Sequence, residues 1–520
     1  MIQSLVDRTG RLGRDTAWLP IALAAVLVAF LISTLPVVYS VALIGGLLLI
    51  SLTLVYPLVG LGVALLLGPF GALENIILGS SLLDSGQLVL LLTIGSWMAA
   101  GLARRRIWLA KTPINLPLGL FIFVTAVTLV SADSIPLGLR EVLKWVEMGL
   151  IILLVVDTAT DGGRDLRHLS STARWLLGFL LLAGFIQAAV GVWQFGLRGT
   201  GPEHFLVLGR FYRAYGTFEQ PNPFGGYMNL TALPALGIVW GLVMSRIRRW
   251  QTHDESEESD AILDPPWFWL AFAGLVAVTA GLALVFSWSR GAWLGLLAGL
   301  VVMVLFSARR WWVGFVLLVL GGTVAFGGLA GGVAAGIGPA QSIADRLLGF
   351  QDDFTFGDVR GVDINDSNYS VLERLAHWQA AMDMARDDVW TGVGFGNYEA
   401  AYPRYALINW PAALGHAHNY YLNLLAEIGV IGLIAYVILW GVIIIQSVRV
   451  MSRLDWPDRG IVLGLLAAWV ALAVHHLVDK LYVNNIYLHL GAMIALLQLA
   501  ALRVNGLDGK PQNTVVTANK

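Results

Sequence analysis

Fourteen apolar runs of roughly bilayer length, separated by short polar breaks, constrain this chain more than any single motif does. They fall at 18–34, 38–54, 57–71, 87–103, 115–131, 143–157, 174–196, 224–245, 267–287, 291–307, 312–337, 419–446, 460–477 and 481–502. A hydrocarbon core takes about 20 apolar residues per helix, and an open sheet cannot satisfy its backbone in lipid. The expected fold is therefore all-α, a polytopic integral membrane protein of about 12–14 transmembrane helices. Composition agrees: 57% of the 520 residues are hydrophobic and 13% charged, against roughly 45–50% and 25% in soluble domains. A single soluble enzyme, a disordered chain and a collagen-like chain are excluded. The absence of cysteine excludes disulfides, thiolate catalysis and cysteine metal sites. A net charge of −1 gives no global field to attract nucleic acid, so no nucleic-acid partner is expected.

Basic residues orient the spans. Arg8, Arg11 and Arg14 precede a retained apolar segment with no small-residue cleavage site. With that end in the cytoplasm, further cations recur on the same side: Arg104–Arg106 with Lys111, then Arg164, Arg167 and Arg174, then Arg246, Arg248 and Arg249. Arg309 and Arg310 follow, then Arg449, Arg453 and Arg459, and finally the tail. This side holds 21 of the 33 Lys and Arg residues, which places both termini in the cytoplasm. The layout is a cytoplasmic N-terminus (1–17), a transmembrane region with short loops (18–338), a long external loop (339–416), C-terminal transmembrane helices (417–502) and a cytoplasmic tail (503–520). Residues 251–264 form an acidic linker with no chemistry of their own. Within the long loop, Leu372, Leu375, Trp378, Ala381, Met382 and Ala385 recur at helical spacing, predicting an amphipathic helix over 371–388 on or near the membrane face. A loop of this length with its own helix is commonly functional.

Four external clusters stand out. Arg290, in SWSRGAWLG, sits in a three-residue turn between two spans. It is either a snorkelling arginine or an anion clamp, since a guanidinium grips phosphate through a planar fork. The segment 209–227, GRFYRAYGTFEQPNPFGGY, brings Arg210 and Arg213 together with Tyr215 and Asn222 in a turn-rich stretch. These arginines either bind an anionic headgroup or pair with Glu203 and Glu219. In GHAHNYYLNLLAE the loop re-enters the membrane, with His416 and His418 beside Asn419 and Tyr420. A histidine there is either structural or a general base, because its ordinary pKa of about 6.5 lets it take a proton at neutral pH. Glu427, farther along the same helix, needs a partner or a polar cavity. His476 and Asp479 in HHLVDKLYVNN are spaced i,i+3 on one helix face. They read as an interhelical hydrogen-bond pair or as half of a metal site, and no completing ligand set is visible in the sequence. Phosphate loops of the Walker type, GxSxG and HExxH are absent. Without a nucleotide motif, any reaction must draw on an already activated substrate.

Taken together, SWSRGAWLGLLAGL, RAYGTFEQPNPFGGYM, LERLAHWQAAMDMARDDVWTGVGFGNYEAAYPRY and AHNYYLNLLAEIGVIGL resemble the bacterial O-antigen ligase and O-antigen polymerase family over about 209–440. The resemblance implies a glycosyltransferase of the inner membrane, acting on its outer face. Its donor would be a polyprenyl (undecaprenyl) diphosphate-linked glycan and its acceptor a glycan or a lipid A core. No cofactor, nucleotide or metal is implied. His418 matches the family's essential histidine, and Arg290 and Arg213 match arginines at the donor diphosphate. Arg374 matches a recurring loop position of unassigned role, and His416 lies outside the recurring AHN pattern. The implied chemistry is attack of an acceptor hydroxyl on the anomeric carbon with inversion. Ligase and polymerase readings both stand, as do a protein O-glycan ligase and an exopolysaccharide polymerase. A secondary transporter of a small anion is the alternative from another class. It would place ionisable groups near mid-membrane and show inverted repeats, whereas here the polar residues gather at the outer surface.

Overall fold

The computed structural model describes residues 34–79, 83–105, 109–163, 165–252, 261–307, 311–348, 358–365 and 368–507. The arginines at 8, 11 and 14, nearly all of the first apolar run, Arg106, Arg164, Arg309, Arg310, most of the acidic linker and the end of the tail lie outside the described residues. Helices run α1 Val37–Val55, α2 Pro57–Leu67, α3 Gly71–Leu78, α4 Ser85–Ala103, α5 Asn115–Val127, α6 Ile135–Ala159 and α7 Leu169–Gly196. They continue with α8 Pro221–Thr252, α9 Pro266–Phe286, α10 Arg290–Ser307, α11 Trp311–Ala334 and α12 Gly338–Leu348. The last are α13 Tyr369–Asp387, α14 Tyr398–Ala401, α15 Tyr420–Arg453, α16 Asp458–His475 and α17 Ile486–Leu507. A hairpin of two-residue strands, β1 Leu206–Val207 with β2 Phe211–Tyr212, is the sole sheet among the described residues.

Eleven helices among the described residues are long and apolar enough to cross a membrane, and the protein is an all-α polytopic membrane protein. The apolar run at 115–131 forms a shorter helix, Asn115–Ser131. The run at 143–157 is only the second half of α6, which begins eight residues earlier, at Ile135. Apolar counting stops at Arg140, Glu141 and Lys144, but the helix carries on through them because they line a polar cavity. Burial separates inner from outer helices. The span windows of Asp458–His475 and Ile486–Gly506 are 78% and 83% buried, against 11% for Val37–Val55 and 6% for Trp312–Ala334. Small residues allow this close packing: a Cβ on Gly237 of α8 would stand 2.4 Å from the Gly460 carbonyl oxygen of α16.

Connections segregate to two ends. At one end Arg248 pairs with Asp455 at 2.6 Å, Arg503 with Asp458 at 2.8 Å, and Arg459 donates to the Phe306 carbonyl at 3.2 Å. At the other, Asn485 donates to Asp84 at 2.6 Å, the Ser134 N–H to Asn397 at 2.6 Å, and Arg404 pairs with Asp133 at 2.7 Å. The described residues of the 339–416 segment belong to this second, loop-bearing end. The helix expected over 371–388 is α13, but its apolar side (Leu372, Leu375, Ala376, Ala380, Met384) is buried within the protein and not laid on a headgroup layer. Following it, residues 389–394 insert into a break in α15. There Gly429 takes φ 61° and ψ −167°, and the opened helix accepts the N–H groups of Val393 and Gly394 at Ala426 and Glu427, each at 2.9 Å. Only glycine fits at 429, because a Cβ would lie 2.3 Å from the Trp390 carbonyl.

Candidate active site

Four arginines from four chain segments meet in one cavity of about 310 Å³ at the loop-bearing end. Arg213 comes from the loop before α8, Arg290 from the first position of α10, Arg346 from α12 and Arg374 from α13. Each is held differently. Arg213 donates through Nε to the Ser287 carbonyl at 2.9 Å and through Nη2 to Asn222 Oδ1 at 3.2 Å. Arg346 donates to the Trp288 carbonyl at 3.2 Å, and its Nε is buried without a partner. The 287–289 turn that supplies both carbonyls is fully packed, with Ser287 and Ser289 buried. Burial, reinforced by the neighbouring guanidiniums, pushes Arg213 down to about 9 and Arg346 down to about 10, so both remain cationic at neutral pH. Among the described residues, Asp479 is the single carboxylate lining the cavity. Like charges gathered in a partly desolvated space are unfavourable until an anion enters. The arrangement is built for a multiply charged anion, which bidentate guanidinium contacts would hold.

A histidine wall stands beside this cavity. The His418 N–H donates to His416 Nδ1 at 3.0 Å, and His416 Nε2 lies 3.6 Å from Asp479 Oδ1. Burial pushes both imidazoles down to about 3, so His416 is neutral and its approach to Asp479 is a polar contact, not an ion pair. Since Nδ1 of His416 accepts, its one proton resides on Nε2, toward the carboxylate. Both ring nitrogens of His418 are buried with no partner, and its ring packs against those of His416 and His377 at centroid distances of 4.5 and 5.5 Å. Local chain geometry fixes the turn: Leu414, Gly415 and His418 have positive φ, Ala417 N–H donates to Asn423, and Tyr420 N–H donates to the His476 carbonyl.

Residues 275–437 match the family model described as O-antigen ligase. The matched stretch, about a third of the chain, is similar to an O-antigen ligase domain. Curated proteins give no match. Arg290, Arg346, Arg374, His416 and His418 all lie inside the O-antigen ligase match, whereas Arg213, Asn222 and Asp479 are brought to it from flanking segments. The match supports membrane glycan transfer of the ligase or polymerase type.

Of the residues the sequence singled out, Arg213, Arg290, Arg374, Asn222 and Asp479 line the arginine cavity. Several others do not. Arg210 is exposed and lies over the Phe211 ring at 5.4 Å, and the Tyr215 hydroxyl accepts from Arg198 at 2.7 Å. Asn419 caps α15, accepting from the N–H groups of Tyr421 and Leu422. Tyr420 is packed in the core, 4.8 Å from the His476 ring. The expected His476–Asp479 partnership is replaced: His476 Nδ1 meets the Tyr436 hydroxyl at 3.3 Å, and Asp479 approaches His416. That exchange completes a ligand set the sequence did not show. Among the described residues, His416, His418 and Asp479 place one donor atom each within 4.8 Å of one another. Arg346 was missed altogether. Its only sequence signal is a lone cation in a short amphipathic stretch of the long loop.

Proposed function

We propose that the protein transfers a glycan from a polyprenyl diphosphate donor to an acceptor hydroxyl at the outer face of the inner membrane. The observation that carries the proposal is the convergence of Arg213, Arg290, Arg346 and Arg374 on one cavity beside the histidine wall. The donor diphosphate lies among the arginines. The acceptor oxygen forms a bond to the anomeric carbon as the bond from that carbon to the diphosphate oxygen breaks. His418 takes the hydroxyl proton, and the leaving diphosphate keeps the electron pair, with the guanidiniums stabilising its growing charge. One displacement inverts the anomeric centre. The chemistry needs no cofactor, metal or nucleotide, because the donor is already activated. This role requires the 414–418 turn to open, since it seals both ring nitrogens of His418.

A second assignment of the base has an observation in its favour: Asp479 lines the arginine cavity and His418 does not. Comparing Asp479→Asn with His418→Ala separates the two, since the true base loses turnover with donor binding kept. The proposal as a whole is tested with purified protein in proteoliposomes, given an undecaprenyl diphosphate glycan plus either lipid A core or a second donor molecule. Product on lipid A core identifies a ligase and lengthened lipid-linked glycan a polymerase. Anion uptake with no glycan product would replace transfer by transport. Transfer is expected to survive chelation of divalent ions, and its loss would assign His416, His418 and Asp479 to a metal.

A further inference from the structure

A second cavity, of about 360 Å³, opens on the other side of the histidine wall. The wall separating them is thin: Asp479 lines the arginine cavity and the next residue, Lys480, lines the second, as does Gly415, next to His416. The charge of this second cavity is opposite. Asp84, Glu141, Glu147, Glu399 and Glu427 line it, drawn from α4, α6, α14 and α15 and their flanks. Its cations are outnumbered, five carboxylates to three, with Lys144 and Lys480 both pairing with Glu141 and Arg140 solvent-exposed. Carboxylate capacity is left over. Glu427 is 1% exposed and accepts the Tyr398 N–H at 3.1 Å through Oε1, but its Oε2 has no partner. The buried Oε2 of Glu147 has none either. An unpaired buried carboxylate oxygen costs several kcal/mol by order of magnitude unless a donor reaches it. A cavity in the size range of about 300–1,000 Å³ typical of ligand sites, lined by idle acceptors, calls for a ligand rich in hydroxyl or ammonium donors.

We propose that this acidic cavity is the acceptor-glycan subsite, taking neutral or amino sugars and rejecting phosphorylated or uronic ones. The proposal rests on the donor diphosphate occupying the arginine cavity. Two cavities of opposite charge on either side of one wall then sort the substrates: the diphosphate goes to the guanidiniums, and the polyhydroxyl acceptor to the carboxylates. An anionic sugar would meet surplus negative charge in the acidic cavity.

The test uses the full chain in detergent and calorimetric titration with three tetrasaccharides: neutral gluco-oligosaccharide, amino-sugar oligosaccharide and uronic-acid oligosaccharide. The neutral and amino tetramers are expected to bind, with the uronic one at least tenfold weaker. Glu147→Gln combined with Glu399→Gln should weaken the amino tetramer at least tenfold and narrow the discrimination against the uronic one. Arg290→Ala should leave the neutral and amino titrations unchanged. Equal or tighter uronate binding, no binding of any tetramer, or binding lost through Arg290→Ala but not through the glutamine variants would each overturn the proposal. Undecaprenyl diphosphate binding is followed on the same samples. Its absence from the wild type would remove the arginine-cavity assignment on its own, independently of the tetrasaccharide result.

Discussion

His416 Nε2 and Asp479 Oδ1 approach to 3.6 Å while the His418 backbone N–H donates to the other nitrogen of His416 at 3.0 Å. One imidazole thus ties the re-entrant turn to the segment after α16. This makes His416 a positioning residue: its ring nitrogens are both engaged, whereas those of His418 have no partner. His416→Ala should lower turnover roughly tenfold to a hundredfold, as loss of an orienting partner commonly does. His416→Asn, whose amide oxygen can accept the 418 N–H, should recover much of that loss. Equal activity in wild type and both variants would show that the contact orients nothing.

The pH dependence should depart from that of an ordinary histidine base. Burial holds His416 and His418 at about 3 and His377 at about 4. An unfolded chain binds these protons near pH 6.5. Between that value and the folded ones the unfolded state holds more protons, so the stabilisation is present above about 6.5 and drains away as pH falls toward about 3. Thermal unfolding in detergent at stepped pH should show the loss. The acid limb of kcat/KM should lie below pH 5 rather than near 6.5. A limb at 6.5 would mean that the catalytic imidazole is solvated in the free enzyme.

Arg346 is expected to matter as much as the arginines recognised from sequence. It lines the same cavity and leaves a buried Nε without a partner. A charge-assisted hydrogen bond contributes about 1.5–3 kcal/mol, so Arg346→Ala should raise the donor KM by roughly tenfold to a hundredfold. Lysine should rescue only partly, lacking the planar fork. Unchanged donor affinity in steady-state kinetics would place the diphosphate elsewhere.

Gly429→Ala probes how the loop is anchored. At φ 61° and ψ −167°, a region populated essentially by glycine, a Cβ costs about 1–3 kcal/mol, and the Trp390 carbonyl adds a clash. The melting temperature should fall, and limited proteolysis should cut between 389 and 396 faster than in the wild type. A wild-type cleavage pattern would show that the insertion is not what holds the loop.

Much of the arrangement was legible in the sequence, and the reason the rest was not is physical. Apolar runs and basic breaks predicted which loops would share an end, Arg213 and Arg290 could be named because charges near spans are scarce, and Arg374 was named only through the family resemblance. Arg346 carried no local motif, since its role comes from how α12 folds back over the 287–289 turn. The acidic cavity was invisible because its carboxylates lie far apart in the chain, and those on α6 made a helix look shorter than it is. His476 and Asp479 share a helix spacing, but that spacing could not show that Tyr436 and His416 would compete for them.

The most direct test of the account is glycan transfer by purified wild type and His418→Ala, with donor binding measured on the same samples. Removing a general base typically costs about 10²–10⁴-fold. Inverted glycan product is expected from the wild type, and loss of that magnitude in His418→Ala with donor affinity within about threefold, well under the tenfold that 1.4 kcal/mol gives. Near-wild-type transfer by His418→Ala would contradict it.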